Sequence, residues 1–226
     1  MRTAFMMRTA LPLVAALCTL GAAFATPSTL VWIPSTDIQP DKTWHLGVDN
    51  YFTPDGGYRS PTDVGLTYGF AKGRAEAGID YFGGQDDPFF LNAKYLVTGE
   101  AAKVPAIAVG AFNFGTKKDV TDYNMLYALI AKTFSAVRLT AGYCHGNEEA
   151  LGKDPDMLLL GLDGYLTKNK RWWGAVDYQS GDNAFGALNF GVSYAFAPNV
   201  SLIVGYDVYN AAGVDDTLTT QLDINF

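Results

Sequence analysis

Hydrophobic and polar residues alternate along most of this chain. From Thr217 to Phe226, Leu218, Thr220, Leu222, Ile224 and Phe226 share one face, while Thr219, Gln221, Asp223 and Asn225 share the other. Leu188, Phe190, Val192, Tyr194 and Phe196 repeat the pattern, as do Val200, Leu202, Val204, Tyr206 and Val208. Successive side chains of a strand point to opposite faces, so each segment has one apolar face and one polar or small face. The same reading predicts twelve strands, near 43–52, 62–70, 73–82, 89–97, 105–114, 122–132, 136–145, 156–166, 171–180, 184–196, 199–208 and 217–226. Each is close to the length of about 9–11 residues that a tilted strand needs to cross a bilayer. Strand 105–114 has an ambiguous phase, because Asn113 falls among its apolar set. In 122–132 the alternation puts Tyr123 outward and Lys132 inward. The expected fold is all-β: a membrane-spanning, antiparallel, up-and-down β-barrel.

The connections alternate as well. One set is short or basic (71–73, 134–135, 167–170, 198–199), with 98–104 longer; the other is longer and acidic (53–61, 83–88, 115–121, 146–155, 181–183, 209–216). Short turns on the periplasmic side and longer loops outside are the habit of outer-membrane barrels, and an even strand count puts both termini with the short turns. Outward aromatics fall in two bands. Trp44, Phe70, Trp172, Phe196 and Phe226 lie near the short-turn ends, and Phe52, Tyr81, Phe89, Tyr123, Tyr143 and Tyr178 near the long-loop ends. Amphipathic rings settle at the two membrane interfaces, which accounts for both bands.

The first 25 residues read as a leader. Arg2 and Arg8 precede the apolar stretch Leu11–Ala23, and Ala23-Phe24-Ala25 offers small residues at the two positions a signal peptidase reads. Bulky Leu17 before Cys18 argues against lipoprotein processing. The expected organisation is a cleaved signal peptide over 1–25, a lead-in over 26–42 that is either periplasmic or inserted in the lumen, and a barrel over 43–226.

The final strand, Leu222-Asp223-Ile224-Asn225-Phe226, alternates up to a terminal aromatic. It resembles the C-terminal signature of bacterial outer-membrane β-barrel proteins. The resemblance implies an outer-membrane location, lipid around the barrel, and recognition of Phe226 by the barrel-assembly machinery.

Charge narrows the partners. All 23 acidic residues lie after Ala25 and two of the 16 basic ones before it, so the mature chain carries −9. That balance disfavours nucleic acid, which binds basic patches. Only Cys144 survives leader removal, so no intrachain disulfide forms; it reads as a small buried filler. The acidic loops lack the ligand spacing of a calcium loop. No metal or other cofactor is expected.

Inside the barrel, a loose Gly-x-Asp repeat places acidic residues inward. Asp49, Asp63, Asp80, Asp177 and Asp207 form an expected upper acidic ring, and Arg74, Glu76, Lys94, Lys132, Arg138, Asp163, Arg171 and Asp223 a lower charged cluster. Inward Gly47, Gly65, Gly69, Gly78, Gly191 and Gly205 leave open space or relieve curvature. The leading functional reading is a small porin-like channel for passive passage of small hydrophilic solutes or ions, with a preference for cations. The external connections add to this preference, since over 54–61, 83–88, 115–122, 146–156, 181–183 and 211–216 they sum to −8. The second reading is a closed structural or interaction barrel, favoured if side chains or the N-terminal segment block the lumen. The third is a lipid-modifying enzyme using His145, which tops a strand at the outer leaflet without a same-face serine beside it.

Overall fold

The computed structural model describes residues 28–54, 58–84 and 86–226. Residues 1–27, with the expected leader among them, lie outside the described residues. Twelve strands follow in order: β1 (Trp44–Phe52), β2 (Tyr58–Phe70), β3 (Ala75–Phe82), β4 (Phe89–Thr98), β5 (Ala106–Gly115), β6 (Asp122–Phe134), β7 (Val137–His145), β8 (Asp156–Tyr165), β9 (Trp172–Gln179), β10 (Ala187–Ala197), β11 (Val200–Tyr209) and β12 (Thr217–Asn225). One short helix, α1 (Glu148–Leu151), sits in the β7–β8 loop. Each strand pairs antiparallel with its sequence neighbour, and β12 returns to β1 to close the barrel. The seam continues past the strand ends, where Trp44 N donates to Phe226 O at 2.7 Å and Phe226 N to Trp44 O at 2.9 Å. Closure leaves no strand edge unpaired, which a barrel in lipid requires.

The outside is apolar. Ile130, Leu160, Leu162, Val192 and Val204 are exposed along the strands, with Trp44, Phe70, Trp172 and Phe196 at the end bearing the termini and Tyr81, Phe89 and Tyr143 at the opposite, loop-bearing end. The ambiguity in β5 is a bulge. Asn113 adopts φ 54°, and the β5–β6 register shifts between Phe112 and Phe114. An inserted residue of this kind reverses which side chains face in.

The phase of β6 is opposite to the one expected. Met125, Tyr127, Leu129 and Ala131 are buried inward, and Leu126 and Ile130 are exposed outward. Tyr123 lines the lumen, and Lys132 stands on the outward face opposite exposed Leu139. The reason is what lies inside. Residues 28–35 form a tight hairpin within the barrel, closed by Leu30 N to Ile33 O at 2.8 Å and Ser35 N to Ser28 O at 3.0 Å. Its Leu30, Val31 and Ile33 make one buried cluster with Met125, Tyr127, Leu129, Cys144, Met157 and Leu159. Against that hairpin the inner wall is apolar, so β6 is apolar on both faces and polarity cannot report its phase.

Candidate functional site: the barrel lumen

The hairpin is held by polar contacts from distant strands. Asp177 Oδ2 on β9 accepts the backbone N–H groups of Val31 and Trp32 at 2.7 and 2.9 Å, and Gln221 Nε2 on β12 donates to Val31 O at 2.7 Å. Trp32 Nε1 reaches the Phe185 carbonyl in the loop between β9 and β10 at 2.9 Å, which brings the hairpin tip to the loop end. Lower down, Glu76 on β3 accepts from Ser28 Oγ at 2.9 Å and from Gln39 N at 2.6 Å, while Lys94 Nζ donates to Ser28 O at 3.0 Å. Asp37 pairs with Arg138 on β7 at 2.7 Å.

The glycines of this wall are places where the segment lies close. An added Cβ would come within 2.4 Å of Leu30 at Gly161, 2.7 Å of Val31 at Gly191 and 2.2 Å of the Pro40 carbonyl at Gly69. Gly47 and Gly65, on the other side, border open space.

The five aspartates of the expected ring therefore have different surroundings. Asp177 holds the hairpin, and Asp207 is fully buried and accepts from Thr217 Oγ1 at 2.8 Å. Asp49, Asp63 and Asp80 face a cavity of about 380 Å³ beside the hairpin. The lower cluster divides too. Lys94–Glu76 at 3.1 Å and Arg138–Asp163 at 2.9 Å are ion pairs within the barrel, and His45 Nε2 lies 3.4 Å from Asp223 Oδ1. Arg171 borders a second cavity, of about 670 Å³, at the end bearing the termini, together with Asp37, Arg138 and Asp163. Arg74 leaves the lumen: it donates to the Leu96 and Val97 carbonyls at 3.1 and 2.8 Å and lies 5.4 Å over the Tyr95 ring. Lys132 turns to the β4–β5 connection, where its Nζ meets Glu100 Oε1 at 3.0 Å. Glu100 also accepts from Thr133 N, and this bond, followed by those from Lys132 and the Thr133 hydroxyl, lowers its pKa to about 2.

His145 lies outside the lumen. Its Nδ1 is 2.7 Å from Asp156 Oδ1, both side chains are more than half exposed, and the Tyr143 hydroxyl donates to the same carboxylate. Among the described residues no serine or threonine hydroxyl is bonded to this histidine, and neighbouring Cys144 faces inward into the buried cluster.

The sequence left open whether 26–42 enters the lumen, and the hairpin itself is the part of the site that it did not identify. Its trace there is the short apolar run Leu30-Val31-Trp32-Ile33 ahead of the first strand, matched by inner faces on 125–131 and 157–159 that are apolar where a water-filled lumen would be polar.

The chain matches no protein-family model and no curated protein sequence. Solved structures do resemble it. The KdgM porin superposes with a TM-score of 0.53 at 10% identity, covering 81% of this chain and 98% of that one. A KdgM porin in complex with disordered oligogalacturonate gives 0.51 at 12% identity, with the same coverage. At such identities the likeness is one of fold: this chain has a porin-type, twelve-stranded β-barrel.

Proposed function

We propose that the protein is an outer-membrane, porin-like channel for passive passage of small hydrophilic solutes or ions, narrowed from within by residues 28–43. One observation carries this reading: the hairpin covers only part of the inner wall. Beside it the 380 Å³ cavity extends from Glu76 and His45 up to Asn113, Phe185 and Tyr209 at the loop end. The second cavity opens at the other end. Charged side chains line both, and buried charges are kept where water or a partner offsets their desolvation. The porin-type fold supports a channel over a catalyst, and the exposed His145–Asp156 pair is given no catalytic role.

The solute of the oligogalacturonate-bound neighbour is not carried over. Its sugar acids are polyanionic, and the cavity here presents Asp49, Asp63 and Asp80. A cation preference follows from the same residues, because acids in a low-dielectric constriction concentrate cations.

A closed interaction barrel is the second reading, and the buried hairpin is the observation in its favour. Planar-bilayer recording separates the two. Discrete conductance steps from the folded protein are expected of the channel. A folded barrel that carries no current, with or without residues 28–35, would establish the closed reading.

A further inference from the structure

The geometry points to a binding site for small organic cations (amines, guanidinium compounds or quaternary ammonium ions) in the lumen cavity, where an acidic strip adjoins a row of aromatic rings. This deepens the channel reading by naming its solute class.

The strip is formed by three neighbouring strands. Asp49 on β1 stands directly opposite Asp63 on β2, and Asp80 on β3 stands opposite Gly65, two residues along on the inner face. Like charges placed directly across a strand pair are destabilising. Asp80 accepts from Asn92 Nδ2 at 2.7 Å, but Asp63 Oδ1 is buried without a hydrogen-bond partner among the described residues. The cavity's own basic side chains, Lys94 and His45, already serve Glu76 and Asp223. Gly65 keeps the strip intact, since a Cβ there would sit 2.6 Å from Asp80 Oδ1.

Aromatic rings adjoin the strip, with Phe82 opposite Asp63 and Phe90 opposite Asp80 in register. Phe82 and Phe90 are 5.1 Å apart, Phe90 and Tyr123 are 6.3 Å apart and stacked, and Tyr123 and Phe185 are 4.8 Å apart. Trp32 at the hairpin tip packs edge-on to Tyr51 at 5.6 Å. A hydrated alkali ion uses only the acids. An organic cation uses both sets of groups, meeting carboxylates and the rings beside them, and ring contacts of this kind hold ammonium groups in aromatic cages. A compact metal ion fits poorly: among the described residues no group of three His, Cys, Asp or Glu side chains is arranged to hold one. The volume, about 380 Å³, lies within the usual small-molecule range of about 300–1,000 Å³.

The test uses the mature chain folded in detergent, with choline as probe and 3,3-dimethyl-1-butanol as its uncharged isostere. Calorimetry should show choline binding at least about tenfold tighter than the isostere, the size expected of a desolvated cation–π contact combined with a carboxylate. The D49N/D63N pair should weaken choline by about tenfold or more. Phe90→Leu, which removes a ring and keeps an apolar side chain, should also weaken choline. Equal binding of the isostere, indifference to the aspartate changes, or full displacement of choline by equimolar magnesium would each overturn the site. Gel mobility of unheated samples confirms that each variant is folded. Bilayer recording is the separate arm. Choline binding without conductance removes the channel and keeps the site, whereas conductance without choline binding removes the site and keeps the channel.

Discussion

Asp177 Oδ2 lies 2.7 Å from the backbone nitrogen of Val31, a contact spanning 146 residues of sequence. With the second bond to Trp32 N at 2.9 Å, one carboxylate holds the turn at the tip of the lumen hairpin. Asn189 Nδ2, at 2.7 Å, orients the other carboxylate oxygen. Removing the acceptor strands N–H groups in a buried setting, at roughly 1–3 kcal/mol for each group left unsatisfied. Asp177→Ala is therefore expected to release the hairpin tip, and Asp177→Asn, which keeps an acceptor oxygen, to do so less. A red shift and greater quencher access in tryptophan fluorescence, as Trp32 leaves Phe185, will measure the release; fluorescence identical to wild type in the alanine variant would show that the apolar cluster alone fixes the hairpin.

The seat of the hairpin can be tested by exchanging volume. A Cβ on Gly191 would lie 2.7 Å from Val31 Cγ2 and 3.1 Å from Ile203 Cγ2. Overpacking of this kind costs about 1–3 kcal/mol. Gly191→Ala should lower thermal stability, and Val31→Ala in the same chain should restore part of the loss, although it is destabilising alone. A double-mutant cycle gives the coupling, and strict additivity would mean that the two positions do not meet.

These contacts mark where sequence reasoning succeeded and where it stopped. The twelve strands were legible because exterior positions such as Leu158, Leu160 and Leu162 meet lipid and must be apolar whatever lies within. The phase of β6 was not, since Tyr127 and Leu129 face a hydrophobic hairpin and Ile130 faces lipid. Nor was the division of the aspartates. Asp80 and Asp177 occupy the same kind of Gly-x-Asp or Ala-x-Asp unit, yet one borders the cavity and the other grips Val31. What separates them is a contact between segments far apart in sequence, which local pattern does not record.

Glu100 is a pH-sensitive clasp outside the membrane-spanning strands. Its folded-state pKa is depressed to about 2 by the bonds from Thr133 N, Lys132 Nζ and Thr133 Oγ1. A depressed carboxylate stabilises the fold above its ordinary value, about 4.3. That contribution declines as pH falls below this value and is lost on passing through the folded one. Amide exchange at Thr133, corrected for the intrinsic pH dependence, should accelerate relative to neighbouring strand amides between about pH 4.3 and pH 2. In Glu100→Gln the relative protection should be lower at neutral pH and flat across that window. A wild-type profile as flat as the variant's would remove the clasp.

Phe226 allows recognition to be separated from closure. Its backbone makes both seam bonds to Trp44, and these do not depend on the side chain. Phe226→Asp should therefore lower the amount assembled in the outer membrane of living cells while purified protein still refolds in detergent to a closed barrel. Equal loss in both settings would assign the residue to barrel stability; undiminished assembly in cells would remove its signal role.

The last prediction concerns Glu76, where both ends of the lumen segment meet one charge pair. Lys94 Nζ is 3.1 Å from Glu76 Oε1, and the two side chains are 2% and 5% exposed. The same carboxylate receives Ser28 Oγ and Gln39 N. Breaking a buried pair from one side leaves the other charge uncompensated, at a cost of about 3–5 kcal/mol, whereas replacing both partners by apolar groups is often near neutral. Glu76→Gln should consequently destabilise the barrel strongly, because it leaves the Lys94 ammonium facing only the Ser28 carbonyl and neutral amide groups. Lys94→Met should also destabilise, and the Glu76→Leu/Lys94→Met double variant should recover much of the barrel's stability. It should not recover the segment, since Ser28 and Gln39 still lack their acceptor. Heat-modifiable gel mobility reports the barrel, and limited proteolysis within 28–43 reports the segment. If the double variant protects the segment as well as wild type does, the Glu76 carboxylate is not its anchor, and the apolar cluster with the contacts at Asp177, Gln221 and Arg138 holds it.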